Sequence, residues 1–330
     1  MNSADSVNSQ SVVVIGRNEG ERLQRCLDSV RNSVGAVVYV DSGSTDGSIE
    51  LARSAGVDVV TLDMSTPFTA ARARNAGFAR LRHIAPHTVF VQFVDGDCEL
   101  IDGWLPAAAS FLLKHREVAC VCGRLRERFP ERSVYNRLCD VEWDRPAGDT
   151  DACGGIAMMR AEVLVAVGGF RDDMVAGEEP ELCLRMREQG WKVWRLAQPM
   201  AWHDAAMLRF GQWWKRSKRT GFSYAQRASV HRGIVAGLVR PMLRAWVWAG
   251  VLPLIATIGW VLWGAPALVL LLAYPLQVLR LAASGERPWR VRLERAYFLV
   301  LGRFPELLGL LQFRFGRRHG SAARTFDYKS

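Results

Sequence analysis

The sequence predicts an α/β fold, a Rossmann-like and mostly parallel sheet flanked by helices and followed by C-terminal hydrophobic helices. Three observations carry this expectation. Short apolar runs alternate with helix-period segments through the first hundred residues, a pattern that calls for parallel strands joined by crossover helices. Charge divides the chain: of 43 Lys+Arg and 33 Asp+Glu, residues 205–330 hold 20 and 4, which leaves the first 204 residues net acidic. Finally, Ala245–Leu279 contains no charged residue, a composition suited to lipid.

In chain order, MNSADSVNSQ at 1–10 is polar and reads as a disordered tail rather than a secretory signal. SVVVI at 11–15 is a buried-strand run. Asn18 stands three residues before Glu21, the spacing of a capping box, and Leu23, Cys26, Leu27 and Val30 recur along one helix face. AVVYV at 36–40 forms the next strand and ends in Asp41-Ser42-Gly43-Ser44-Thr45-Asp46-Gly47, a run of turn and cap residues. A helix over 48–55 closes at Gly56, and strand 57–62, a helix near 69–82 and strand 88–94 follow. No G-x-G-x-x-G succeeds the first strand, which disfavours a dinucleotide oxidoreductase. Beyond residue 118 the pattern loosens: strand 118–122, an irregular stretch to about 153, strand 155–160, helix 161–167, a helix opening at Glu179-Pro180 and ending near Gly190, and strand 191–196.

One helix over Ala245–Leu279 would extend ~52 Å, too long for a hydrocarbon core of ~30 Å. Gly264-Ala265-Pro266 divides it into candidate spans 245–263 and 267–283. Arg240 and Arg244 flank one end, and Arg280, Arg287, Arg290 and Arg292 the other, which puts both ends in the cytoplasm at the cell membrane. Residues 296–313, apolar but interrupted by Arg303 and Glu306, suit an interfacial helix. The apolar stretch assigns the basic C-terminal part to a membrane and not to nucleic acid. The expected organisation is a tail (1–10), a catalytic domain (11–235) and a membrane-associated helical region (236–330). Seven cysteines with no zinc-type spacing fit a reduced compartment.

The chemistry gathers at Asp95-Gly96-Asp97. An apolar run, Val89 to Val94, stops at two carboxylates one residue apart. Open α/β sheets bind ligands at the carboxyl ends of their strands, and Asp41 sits at the same end. Carboxylate oxygens so placed hold Mg²⁺ or Mn²⁺ together with substrate phosphates, and Gly96 leaves room for close approach. A second Asp-x-Asp, Asp149-Thr150-Asp151, has no strand before it and reads as solvated or at most substrate-facing.

The ordered segments VVVIGRNEGERLQRCLDSV, VVYVDSGSTDGS, ARARNAG, VQFVDGDCEL, GGFRDDMVAGEEPELCLRMREQGWKVW and WHDA resemble those of the inverting family-2 glycosyltransferases, over about residues 11–225. The resemblance implies the glycosyltransferase A fold, a nucleotide-diphosphate sugar donor and a divalent metal. It makes Asp97 the direct metal ligand, Asp95 a ribose contact that shares the metal, and His203 a late metal ligand. It puts the catalytic base at Glu179, with Glu178 as the second choice, where the family usually shows Glu-Asp. Asp41 corresponds to the acid on the nucleotide base or ribose, with Ser42 where a second Asp is common. Arg17 and Asn18 lie at the donor site, Arg17 where an aromatic is frequent, and Arg74 with Asn75 resembles the donor-site pair.

Gln212-Trp213-Trp214-Lys215-Arg216 matches the Gln-x-x-Arg-Trp of processive relatives only in part, so a single-addition enzyme is expected. Its acceptor would be lipid-linked or a polysaccharide precursor. The rival readings are a nucleotidyltransferase, disfavoured by the lack of a Lys-containing phosphate loop, and a non-catalytic membrane scaffold on a transferase fold.

Overall fold

The computed structural model describes residues 9–231 and 236–318. The expected tail therefore lies outside the described residues up to residue 8, and so does the expected boundary at 235, whereas Gln10 already belongs to a strand. Contacts divide the chain into two compact units, one built from residues up to 131 with 139–206, the other from 132–138 with 207 onward.

Among its described residues the first unit holds nine strands: β1 (Gln10–Gly16), β2 (Ala36–Asp41), β3 (Asp58–Thr61), β4 (Phe90–Asp95), β5 (Cys98–Leu100), β6 (Val118–Glu127), β7 (Gly148–Asp149), β8 (Ala157–Arg160) and β9 (Lys192–His203). They form one sheet in the order β3-β2-β1-β4-β8-β6-β9-β5, with β7 on β9. The pairs among β1 to β4 are parallel, as the alternating pattern predicts. Val12, Val13, Val14, Phe90 and Phe93 are fully buried, as strands covered on both faces require. The chain leaves β1 toward β2 and β3, then returns to β4 on β1's other side, so the strand order reverses at β1. Gly16 pairs with Asp41 and Ile15 with Asp95, which sets both acids side by side at the carboxyl edge.

The helices of this unit are α1 (Glu21–Asp28), α2 (Ser48–Ser54), α3 (Ala70–Ile84), α4 (Trp104–Lys114), α5 (Val134–Trp143), α6 (Ala161–Ala166) and α7 (Glu178–Glu188), with α5 running across the boundary between the units. The expected capping box at Asn18 is corrected. Gly20 is the N-cap of α1 and no side chain caps it. Asn18 Oδ1 instead accepts from Thr45 N at 2.8 Å, since its φ of 54° turns it toward the neighbouring loop. Thr69 does cap α3, accepting from Arg72 N. α3 lies hard against the sheet at Gly77, where a Cβ would stand 2.4 Å from Val13 Cγ1.

Three features escaped the sequence pattern. The three residues of β5 are too few to show a period. The stretch expected to be irregular contains α5, and β9 continues to His203 rather than ending near 196. Pro199 hides that continuation, because it cannot donate to a ladder. Here it pairs with Arg124 where the β6–β9 register shifts, so the strand passes it at a bulge.

In the second unit, α8 (Phe210–Val230) and the helix Arg303–Arg318 meet backbone to backbone. A Cβ on Gly221 would lie 1.9 Å from Glu306 O, and one on Gly309 1.9 Å from Lys218 O. Residues 132–138 join this unit through the Arg137–Glu294 ion pair at 2.8 Å and the Tyr135 ring against Phe298. Among the described residues, three helices are long and apolar enough to cross a membrane: Gly237–Trp263, Ala265–Ala282 and Trp289–Gly316. The third contains the expected interfacial segment. The second begins as a 3₁₀ helix, Ala265–Leu272. The steeper 3₁₀ rise stretches its eighteen residues to ~31 Å, which reaches the ~30 Å of a hydrocarbon core. An apolar cleft of about 500 Å³ opens between Tyr274, Val278, Leu279, Tyr297, Val300 and Phe304.

Candidate active site at the sheet's carboxyl edge

The loop after β2 is held by Asp41. Its Oδ2 accepts from Gly43 N and Ser44 N, both at 2.9 Å, and its Oδ1 accepts from Tyr39 Oη at 3.0 Å. Burial, with the Asp41 carboxylate beside it, holds the Tyr39 phenol well above its ordinary range. Asn18 closes the same corner, donating no side-chain bond to Asp41 but accepting from Thr45 N, while its own N–H donates to Ser44 Oγ at 2.9 Å. Arg17, half-buried, precedes it at the end of β1.

Asp95 ends β4 and receives Arg74 Nη2 at 2.9 Å. Arg74 Nη1 reaches Glu178 Oε1 at 2.6 Å, so one buried guanidinium joins the strand-end acid to the start of α7. Burial works against the charge on Arg74, but Asp95 and Glu178 outweigh it and hold the guanidinium firmly protonated. Burial pushes the Asp95 carboxyl upward, Arg74 pulls it back, and Asp97 pushes it up again, with a net rise. Gly96 is small for a reason other than ligand approach: a Cβ there would meet Glu19 Cγ at 3.1 Å and Ile15 O at 3.3 Å.

Asp97 meets His203 because β5 and β9 pair antiparallel with Cys98 opposite His203. The Nε2 of His203 is 3.5 Å from Asp97 Oδ1, and its Nδ1 is 3.8 Å from Glu127 Oε2. Burial disfavours the charged ring, yet Asp97 and Glu127 raise His203 above its ordinary value. Ligand atoms of Asp97, Cys98 and His203 lie within 4.8 Å of one another. A carboxylate oxygen suits Mn²⁺ or Mg²⁺, and an imidazole nitrogen beside it favours the transition ion Mn²⁺ over the harder Mg²⁺. Burial raises the Cys98 thiol well above its usual range, which makes it a poor ligand beside them. The residues present thus fit a divalent cation at Asp97 and His203, next to Asp95.

The two glutamates of Gly177-Glu178-Glu179 face different ways. The Glu178 carboxylate lies with Arg74 and Asp95. Glu179 is buried, accepting from Cys153 N and lying 3.2 Å from Cys183 Sγ. Cys153, Glu179 and Cys183 form a second close group. Burial raises Cys153 and contact with Cys120 raises Cys183, so in the metal-free protein these are protonated core thiols. Asn75 is engaged with the loop before α7. Its Nδ2 donates to Phe170 O and Asp172 Oδ1, both at 2.7 Å, and its Oδ1 accepts from Phe170 N. The second Asp-x-Asp stays apart, with Asp149 paired to Arg187 and Asp151 97% exposed.

Structure therefore gathers Asp95, Asp97, His203, Arg74 and Glu178, and it sets Asp41 and Asn18 in the adjoining loop. Sequence reasoning missed Glu127. Its only signal was a Glu at the end of a strand whose length was underestimated.

Acids at a reversal point of the strand order, a buried arginine between two of them and a carboxylate–histidine pair suit transfer from a phosphate-bearing donor, on a glycosyltransferase A type of fold. Residues 11–168 match the family model for glycosyl transferase family 2, so this part of the chain is a glycosyltransferase domain of that type. It is 24% identical over 261 residues to "Glycosyltransferase AglE" of Haloferax volcanii, covering 74% of this chain and 81% of that protein. It is 26% identical over 208 residues to "Succinoglycan biosynthesis protein ExoA" of Rhizobium meliloti, covering 59% of this chain and 63% of the relative. A mannosyltransferase from Pyrobaculum calidifontis, PcManGT, solved with GDP-Man and Mn²⁺, shares the fold with a TM-score of 0.64 at 20% identity, covering 94% of this chain and 88% of that one.

Proposed function

We propose that the protein is a metal-dependent, inverting glycosyltransferase. It moves one sugar from a nucleotide-diphosphate sugar to a hydroxyl of a lipid-linked or polysaccharide-precursor acceptor. The observation that carries this reading is the convergence of Asp95, Asp97, His203 and the Arg74-bound Glu178 at one edge of the sheet. The presence of GDP-Man and Mn²⁺ in the PcManGT structure supports the same donor class and ion type.

Asp97 and His203 would hold the cation, and Asp95 the ribose while sharing the cation. A divalent ion bound there would offset the charge that develops on the leaving diphosphate. Arg17, Asn18 and the loop shaped by Asp41 form the wall for the nucleotide. The acceptor oxygen attacks the anomeric carbon as the bond to the diphosphate oxygen breaks, and its proton passes to a carboxylate. We rank Glu178 ahead of Glu179 as that base. Glu178 lies with the donor acids, whereas both contacts of Glu179 face the core. Arg74 holds Glu178 in place, and Glu179 anchors the Cys153 loop.

The apolar helices and the cleft among Tyr274, Tyr297 and Phe304 support a lipid-linked acceptor at the membrane. The basic flanks Arg240, Arg244, Arg280, Arg287, Arg290 and Arg292 support placement of the catalytic domain, residues 11–235, on the cytoplasmic face. The test is a screen of nucleotide sugars with and without Mn²⁺ or Mg²⁺, following release of nucleoside diphosphate and the anomeric configuration of the product by NMR. Release of pyrophosphate would select a nucleotidyltransferase, retention of configuration would remove the single-displacement step, and full turnover in excess chelator would remove the metal.

A further inference from the structure

We infer that Glu127 is a positioning residue for His203, fixing which ring nitrogen faces Asp97. The inference rests on reading Asp97 and His203 as the cation site.

β6 and β9 run parallel with Glu127 and His203 as direct Cα partners. The Glu127 side chain is fully buried. Its carboxylate is pinned from both sides: Oε1 accepts from Phe129 N and Oε2 from Ala205 N, each at 3.1 Å. These two bonds tie down the turns that leave β6 and β9. The same Oε2 lies 3.8 Å from His203 Nδ1. Trp143 closes the ring from another direction, edge to face at 4.8 Å. The imidazole therefore stands between two acids, with Nδ1 toward a fixed, buried one and Nε2 toward the half-exposed Asp97.

An ionised carboxylate only accepts hydrogen bonds. Asp97 accepts as well, but water reaches its carboxylate whereas that of Glu127 is fully buried and held, so a neutral ring carries its proton on Nδ1 and leaves the Nε2 lone pair directed at the Asp97 side. Metal-bound histidines are held in this way, by a carboxylate on the nitrogen away from the ion. Burying a carboxylate is costly unless it is well hydrogen-bonded. Glu127 meets that condition through two backbone N–H groups, and its remaining approach to His203 Nδ1 supplies the orientation. Nothing in the motif pattern points to this residue, because its role arises from strand register alone.

The test uses the full chain and the variant Glu127→Gln, which preserves the side-chain shape and removes the charge. Mn²⁺ alone is titrated by electron paramagnetic resonance. Wild type is expected to bind, and the variant to bind ~10–100-fold more weakly while still unfolding cooperatively. In parallel, ¹⁵N-histidine NMR of the metal-free protein near pH 9, with His203 assigned by comparison with His203→Asn, reads the tautomer directly. Wild type is expected to carry the proton on Nδ1, and Glu127→Gln to show a mixture. Equal Mn²⁺ affinity in a folded Glu127→Gln, or a wild-type ring protonated on Nε2, overturns the inference. If wild type has the Nδ1 tautomer yet binds no Mn²⁺, the positioning role stands and the cation reading falls. Should the variant fail to fold, the wild-type tautomer still decides.

Discussion

The order β3-β2-β1-β4 and the order β8-β6-β9-β5 divide the sheet into a parallel half and a mixed half. In the first, every strand points the same way, so residues at strand ends share one edge without further specification. Asp41 and Asp95 meet there by register alone. In the second, β8 and β5 run against their neighbours, while β6 and β9 run parallel to each other. Two antiparallel steps from β4 through β8 return β6 to the direction of β4, so Glu127 and His203 arrive at the same edge as Asp95. One half supplies acids through uniform direction; the other supplies the histidine and its partners through pairing between segments about a hundred residues apart. A chain can thus place a strand-end acid with local signals, but it needs long-range register to bring a histidine to it.

The sharpest break of this comparison is Asp97→Ala, which removes the carboxylate where the halves join. Transfer should fall by about 10²–10³-fold or more, and metal-dependent donor binding should vanish in calorimetry with the thermal transition preserved. Next is the pair Glu178→Gln and Glu179→Gln. The first should cost ~10²–10⁴-fold in kcat at little cost in stability. The second should lower the melting temperature more than the rate, because it replaces a buried carboxylate oxygen with an amide N–H₂ whose donors lack a partner among the core thiols, a cost of about 1–3 kcal/mol. Wild-type turnover in Glu178→Gln, with loss in Glu179→Gln, would exchange the two roles.

Packing offers a matched pair. Gly77→Ala brings a Cβ to 2.4 Å from Val13 in the parallel half, and Gly123→Ala brings one to 2.7 Å from Gln198 O and Trp104 in the mixed half. Each should destabilise by about 1–3 kcal/mol in chemical denaturation. The second should also weaken Mn²⁺ binding, because it shifts β6 against β9.

A smaller effect concerns pH. His203 is raised in the folded protein, so its contribution to stability is full below the unfolded value of ~6.5 and is lost as pH rises through the folded value. Metal-free protein should therefore lose melting temperature as pH is raised across that window, and His203→Asn should lose less. Smallest of all is Asp151→Asn. That side chain is 97% exposed, and its removal should change stability by less than about 0.5 kcal/mol and leave turnover intact.

The parallel half was legible because its signals are local. Buried runs, the turn residues after Asp41 and the helix period near 69–82 each report on their own neighbourhood. The mixed half was not, since β5 is three residues long, Pro199 interrupts β9, and α5 lies in a stretch without clear period. The acidic pair of α7 was found, but which carboxylate meets Arg74 was invisible. Adjacent residues on a helix diverge by about 100°, and only the packing of α7 against the Cys153 loop and Arg74 selects one face. Likewise, that Gly96 lies close to Glu19 and Ile15 is seen only in the folded chain.

By itself the sequence determined the α/β class, the acids at the strand ends and the apolar C-terminal segments, because each follows from periodicity and composition over a few residues. Tertiary structure decided that Asp97 meets His203, that Arg74 joins Asp95 to Glu178, and that Glu127 backs His203. Those contacts depend on strand order and register, and pairing energies between distant segments leave no local trace in the chain.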